Sequence, residues 1–267
     1  MKPSTLFHRV DGGSGTAVVL LNGGMMTTAH WEAVTGRLVA FGHRVLRLDL
    51  RGQMMSPGPA APDLAAHADD VAGLLDELGM ERVCVAGTSF GALVGLFLAA
   101  NHPRRVSSLV AMNATSRLSA EMLVATRDLQ RIAEEAAAGT GDPGRILDIL
   151  VPGTYSDAWM EANRDVLPQR RAQMKTLPAS YYTGMADVLG ALARLDLTAV
   201  LPRITAPVHV VAAELDRTFP VAYSQELAAA ISGARLSVVA GAPHGFAIEQ
   251  PEAAARLIHE TAGGTAR

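Results

Sequence analysis

The stretch VCVAGTSFGALVG, Val83 to Gly95, decides how the chain is read. Val83 to Ala86 has the composition of a buried strand, and Phe90 to Ala100 is apolar nearly all round, as a helix packed closely on a sheet is. Between them lies one hydroxyl, Ser89, with Gly87 and Gly91 two places to either side. A strand that runs directly into a helix must turn sharply, and residues without a Cβ relieve the crowding there. Such a turn holds a serine at the carboxyl edge of the sheet. It also puts the Phe90 N–H at a helix start, aimed at negative charge developing on a substrate oxygen. A serine oxygen is a poor nucleophile unless a base takes its proton and donors stabilise the oxyanion that follows, so the reading requires partners elsewhere in the chain.

Outward from that turn, apolar and branched segments recur as LFHRV, AVVLL, RVLRL, RVCVA, VSSLVAM, PVHVVAA and RLSVVA, most of them separated by stretches of helical periodicity. This alternation predicts an α/β protein built on a mostly parallel sheet of about seven strands. Asp63 to Leu78 sets Leu64, Val71, Leu74, Leu75 and Leu78 on one helical face, and Gly79 follows as a stop signal. From Ser116 to Val200 strand signals vanish, and the chain becomes Ala-, Glu- and Arg-rich, punctuated at GTGDPG, VPG, LPQ and LPA. The expected division is an α/β core over 1–115 and 200–267 with a helical segment, 116–199, inserted within it.

The 267 residues, nearly half of them apolar, suffice for one large core. With 23 Lys and Arg against 26 Asp and Glu, nothing in the charge favours nucleic acid or an anionic membrane as a partner. Cys84 is the only cysteine, which excludes an intrachain disulfide and a cysteine-based zinc site. The histidines lack metal-ligand spacing and no G-x-G-x-x-G follows a first strand, so neither metal nor organic cofactor is expected. MKPSTLFHRVDGG lacks the apolar core of a signal peptide, and the longest apolar stretch, GALVGLFLAA, is about half a membrane span. A cytoplasmic protein acting on a small molecule is the expectation, with self-association into a homo-oligomer left open.

The partners of Ser89 come from order. Asp216 follows the strand-like PVHVVAAEL, and His244 follows RLSVVA within AGAPHGF. Each lies just beyond an expected strand, and carboxyl ends of parallel strands share one edge, so Ser, Asp and His converge. Glu214 competes with Asp216 for the acid. Asp49, at the end of another strand, is read as a loop-bracing residue.

Through GTSFG, LLNGG, LRLDLRGQMMS, DDVAGLLDELGMERVCVAGTSFG, ANHPRRVSSLV, ITAPVHVVAAELD and APHGF, the chain resembles the α/β-hydrolase superfamily over essentially its whole length. It looks most like the esterase, lactonase and carbon–carbon hydrolase branch. The resemblance implies Ser89 as nucleophile, His244 as general base and then acid, and Asp216 as the residue that orients the imidazole. Some relatives carry the acid after the earlier strand, but here that place falls near Asn113, which cannot ionise. Two departures stand out. Asn22-Gly23 replaces the usual His-Gly, and DLRGQMMS, with Met54 and Met55, replaces DxRGxGxS. Aligning Asn22-Gly23 with His-Gly puts the second oxyanion donor at Gly24, with Met25 as the competing donor, and leaves Asn22 to brace the loop through its amide. The inserted segment is expected to close over the site. Trp159, Tyr181 and Tyr182, together with Met25, are the expected substrate contacts, although any of them can equally be core. The implied activity is hydrolysis of a small to medium carboxylic ester or thioester. Lactonase and carbon–carbon hydrolase activity use the same three residues, and the fold also serves slow-turnover receptors and biosynthetic cyclases.

Overall fold

The computed structural model of the chain describes residues 6–56, 58, 61 and 63–263. Every apolar run singled out above forms a strand: β1 (His8–Gly12), β2 (Ala17–Leu21), β3 (Arg44–Leu48), β4 (Val83–Thr88), β5 (Val106–Met112), β6 (Val208–Ala213) and β7 (Arg235–Val239). They make one seven-stranded sheet in the order β1-β3-β2-β4-β5-β6-β7. β1 pairs antiparallel with β3, and every other pairing is parallel. β1 begins two residues later than LFHRV suggests and runs on to Gly12.

The register aligns the carboxyl ends. Leu21 pairs with Gly87, Gly87 with Ala111, and Ala111 with Val210, so the loops after β2, β4, β5 and β6 leave along one edge. Side chains alternate between two cores, as the two-residue period of a strand requires. Val19, Leu21 and Val85 pack with helices α2 (Leu64–Glu77) and α3 (Phe90–Asn101), while Val18, Leu20 and Cys84 pack under α1 (Glu32–Ala40) and α11 (Pro251–Thr261). Burying one such aliphatic side chain contributes about 1.5–3 kcal/mol. α2 starts where the Asp63 carboxylate accepts the Ala66 N–H at 2.9 Å, and it ends at Gly79, whose φ of +61° only glycine adopts at no cost. Cys84 is buried in β4, and burial pushes its thiol up to about 11, so it is a packing residue.

Between β5 and β6, among the described residues, lie only helices: α4 (Ala120–Ala137), α5 (Gly144–Thr154), α6 (Asp157–Ala162), α7 (Leu167–Met174) and α8 (Ala179–Leu192), followed by a 3₁₀ turn at Leu201–Arg203. Most of the prolines taken as punctuation mark helix starts: Pro143 and Pro178 are N-caps and Pro168 lies in the first turn of α7. Pro152 instead sits in the last turns of α5, so VPG is no break. These helices have their own core of Ile132, Ala133, Ile146, Met174, Tyr182 and Met185. They rest on the sheet domain where α8 meets the turn after β3. A Cβ on Gly184 would stand 1.9 Å from the Gly52 carbonyl oxygen, so backbone touches backbone there. α9 (Val221–Ala229) and the short α10 (Phe246–Glu249) complete the chain.

Candidate active site

Ser89 caps α3 with φ 51° and ψ −120°, a strained conformation for a residue with a side chain. The surrounding glycines explain how the turn is built. A Cβ at Gly87 would lie 2.4 Å from the Gly91 carbonyl, and one at Gly91 would lie 2.3 Å from the Leu21 carbonyl. The helix therefore starts in direct contact with β4 and β2, and either side chain would force it off the sheet. The Ser89 N–H is tied to the end of β5 through the Met112 carbonyl at 2.9 Å, and the residue is half-buried.

Asp216 follows β6 with its side chain fully buried. Its Oδ2 lies 2.7 Å from His244 Nδ1, and its Oδ1 accepts the backbone N–H groups of Thr218 (2.8 Å) and Phe219 (2.7 Å). With both carboxylate oxygens occupied, Asp216 favours the ring tautomer that carries its proton on Nδ1, with Nε2 left unprotonated. The His244 side chain is 10% exposed, and the Phe219 ring packs edge-on against it at 5.5 Å. Glu214, the competing acid, is exposed, and its carboxylate accepts the Gly241 N–H at 2.7 Å, which braces the turn before His244. Asn113 sits where β5 ends, at φ 51°, and donates its side-chain amide to the His244 carbonyl across 2.5 Å. Met112 binds Ser89 and the next residue binds His244, so the end of β5 links the two.

On the other side of Ser89 lies the loop after β2. Neither Gly24 nor Phe90 has a partner for its N–H among the described residues. Behind the loop is a buried polar cluster. Asn22 donates to Asp49 Oδ1 and to Gln53 Oε1, both at 3.1 Å, and to the Met26 carbonyl at 3.4 Å, and its own oxygen accepts the Trp31 indole N–H at 2.9 Å. The Asp49 carboxylate also takes the N–H groups of Thr28 (2.7 Å) and Met55 (3.2 Å). Asn22 thus braces the loop mainly through side chains rather than neighbouring backbone. Gln53, which sequence reasoning passed over, donates to the Gly23 carbonyl at 2.8 Å and to Gly24 at 3.4 Å, and accepts the Leu50 N–H at 2.9 Å.

The inserted helices approach the site from two sides. Tyr181 and Met185 of α8, with Gly24, Met25 and Met54, line a small cavity at the Gly24 loop. Burial pushes the Tyr181 hydroxyl up to about 12, so it stays neutral. On the His244 side, Trp159 stacks on Tyr155 at 3.8 Å, and the Gly245 N–H donates to the Thr154 carbonyl at 2.7 Å. Glu249 receives both the N–H (2.9 Å) and the hydroxyl (2.6 Å) of Ser156. Tyr182 lies elsewhere than expected. It is 3% exposed and its hydroxyl donates to the Met174 carbonyl, which makes it part of the core of the inserted helices and removes it from the expected substrate contacts. Met54 and Met55 are exposed rather than packed. Among the described residues no cluster of His, Cys, Asp and Glu could hold a metal ion, and no helix is long and apolar enough to cross a membrane.

The fold, the Ser89 turn and the sheet-edge loops are those of one family, and the chain belongs to it: the profile described as "alpha/beta hydrolase fold" matches residues 16–251. The protein is a hydrolase of that fold. It is 34% identical over 246 residues to "Putative carbamate hydrolase RutD" of Variovorax paradoxus (strain S110), covering 90% of this chain and 88% of that one. Among solved structures, it superposes on the enol-lactonase of Burkholderia xenovorans LB400 with a TM-score of 0.82 at 28% identity, covering 96% of this chain and 95% of that one. The α/β-hydrolase MGS-M2 from a deep-sea metagenome library matches with a TM-score of 0.87 at 22% identity (98% and 95% coverage), a likeness of fold.

Proposed function

We propose that the protein is a serine hydrolase that cleaves a small to medium carboxylic ester or thioester through an acyl-enzyme on Ser89. The observation that carries this reading is the buried Asp216–His244 hydrogen bond of 2.7 Å, on the same sheet edge as the strained Ser89 turn. In the reaction His244 Nε2 takes the Ser89 hydroxyl proton as the oxygen attacks the substrate carbonyl, and the N–H groups of Phe90 and Gly24 receive the oxyanion. Collapse expels the alcohol or thiol, which leaves with the proton from His244. A water then repeats the sequence on the acyl-enzyme, releasing the acid and restoring Ser89.

The residues 116–199 act as a lid in this scheme, with Met25, Tyr181 and Trp159 touching substrate. The apolar lining at Met25, Met54, Tyr181 and Met185 supports an apolar acyl group. A second reading, a carbamate as substrate, rests on the 34% identical relative and needs no change in the three residues. The test is a panel of p-nitrophenyl esters, thioesters, lactones and carbamates with acyl chains of increasing length. Turnover of short acyl esters or thioesters above lactones and carbamates supports the first reading, and turnover of carbamates above esters and thioesters supports the second.

A further inference from the structure

The cluster behind the Gly24 loop has a geometric consequence for catalysis. In a trans peptide the carbonyl and the N–H point in opposite directions. The peptide unit whose carbonyl belongs to Gly23 carries the N–H of Gly24, and the next unit carries the carbonyl of Gly24 and the N–H of Met25. Gln53 Nε2 donates to both carbonyls, at 2.8 and 3.4 Å, and no peptide bond among the described residues is cis. Whatever holds those carbonyls aims both N–H groups to the opposite side, and the Gly24 N–H has no partner among the described residues.

We propose that Gln53 is the positioning residue of the oxyanion hole: by gripping the Gly23 and Gly24 carbonyls it turns the Gly24 N–H toward the oxyanion formed at Ser89. This inference rests on the acyl-enzyme reading above. Burial, backbone freedom and the anchoring of the turn carry it. Gln53 is buried, at 4% exposure, and its amide is fully engaged, its oxygen taking the Leu50 N–H and an Asn22 amide proton. Its side chain therefore has no freedom to release the loop. Glycines at 23 and 24 have wide backbone freedom and need an outside constraint to hold one orientation. The remaining restraints, the Met26 N–H to the Gly23 carbonyl at 3.1 Å and the Gly23 N–H to Met26 Sδ at 3.3 Å, come from within the same loop, three residues on. Gln53 comes from the turn after β3, which α8 pins at Gly52, so the orientation of the donor is referred to the rigid body of the fold. A hydrogen bond accepted by a carbonyl also polarises its peptide unit and strengthens the N–H on the same unit as a donor.

The test compares the wild type with Gln53→Glu, which keeps the acceptor for Leu50 and Asn22 but loses the amide donor, and with Gln53→Met, which loses both. Steady-state kinetics on the preferred ester are paired with binding of a trifluoromethyl ketone, whose hemiketal oxyanion mimics the tetrahedral intermediate, and of the matching methyl ketone as ground-state control. Thermal melting identifies any variant that fails to fold, in which case the other variant decides. The expected result is a fall in kcat of about tenfold to a hundredfold with KM within a factor of about two. The trifluoromethyl ketone should weaken by the same factor, and the methyl ketone should be unmoved. A folded variant that keeps wild-type kcat and trifluoromethyl ketone affinity overturns the inference. So does an equal weakening of both ketones, which marks a merely structural role. A wild type that forms no covalent adduct on Ser89 with a fluorophosphonate overturns the acyl-enzyme reading itself, and this inference with it.

Discussion

The Asn113 side-chain amide donates to the backbone carbonyl of His244 across 2.5 Å, from a residue held at φ 51° and fully buried. A residue incapable of ionising, at a sheet-edge position where some relatives carry the acid, here fixes the backbone of the proposed base. Two substitutions separate its roles. Asn113→Gly tolerates the backbone conformation but loses the amide, whereas Asn113→Ala loses both. The glycine variant should lower kcat by about tenfold through a loosened His244. The alanine variant should be less stable than the glycine variant by a further 1–2 kcal/mol or so, the cost of a left-handed conformation with a Cβ. Urea denaturation and ester kinetics check both, and equal stability of the two variants contradicts the backbone argument.

Ser89→Ala should lower kcat by about 10⁴ to 10⁶ while leaving the melting temperature unchanged, since one half-buried hydroxyl contributes little packing. Ser89→Gly should be equally inactive but melt higher, because glycine relieves the strain at φ 51°, ψ −120°. Differential scanning fluorimetry alongside the kinetics reads both effects. A glycine variant that melts below the wild type argues that the conformation is not strained.

Asp216→Asn should lower kcat by about 10³ to 10⁴, because an amide no longer enforces the Nδ1–H tautomer of His244. Glu214→Gln should keep activity within a factor of about two, as its exposed carboxylate only braces Gly241. If the Glu214 change proves the damaging one, the acid is misassigned.

Stability should fall with acid through His67 and His209, neither of which belongs to the proposed triad. Burial, and then the Arg51 charge, lowers His67 from its ordinary 6.5 to about 4; burial, and then Arg235, lowers His209 to about 4. Both fold as neutral rings that the unfolded chain protonates more readily. Their contribution is therefore complete above pH 6.5 and is lost as pH falls from there toward 4, with a slope of about 1.4 kcal/mol per pH unit for each. His67 is 1% exposed, its Nδ1 has no hydrogen-bond partner, and its ring meets Phe90 edge-on at 5.2 Å, so His67→Leu removes one titration without breaking a hydrogen bond at that nitrogen. Urea denaturation between pH 4.5 and 7 should show the slope reduced by one proton in that variant, and an unchanged slope contradicts the assignment.

Asn22→Ala leaves the Trp31 indole N–H unpaired and takes a donor from the buried Asp49 carboxylate, so it should destabilise by about 2–4 kcal/mol and lower kcat. Asn22→His, which restores the residue usual in relatives, should recover part of both. Neutral behaviour of the alanine variant on melting and turnover ends the bracing role.

What could be read in the sequence was what repeats with a local period or sits at a fixed offset. The seven strands announced themselves by branched apolar runs, and the Ser89 turn by two glycines whose role is steric. Asp216 and His244 could be placed because each immediately follows a strand of a parallel sheet. The bracing of the Gly24 loop was illegible for the opposite reason: Gln53 grips carbonyls about thirty residues away in sequence, and no periodicity links them. Tyr181 and Tyr182 show the limit within one helix. Adjacent helical residues point about 100° apart, so one of the pair lines the cavity at Gly24 and the other fills the core beside Met174, and composition alone does not say which. The contact of Gly184 with Gly52 joins two segments that neither pattern nor charge connects.

Ser89 as the nucleophile of an acyl-transfer site is best tried by covalent capture. The protein is treated with a fluorophosphonate, its intact mass is measured, and the modified peptide is mapped. A single adduct on Ser89 is expected, abolished in Ser89→Ala and slowed in Asp216→Asn, accompanied by complete loss of ester turnover. A protein that turns over esters while forming no adduct, or that carries the adduct on another residue, contradicts it.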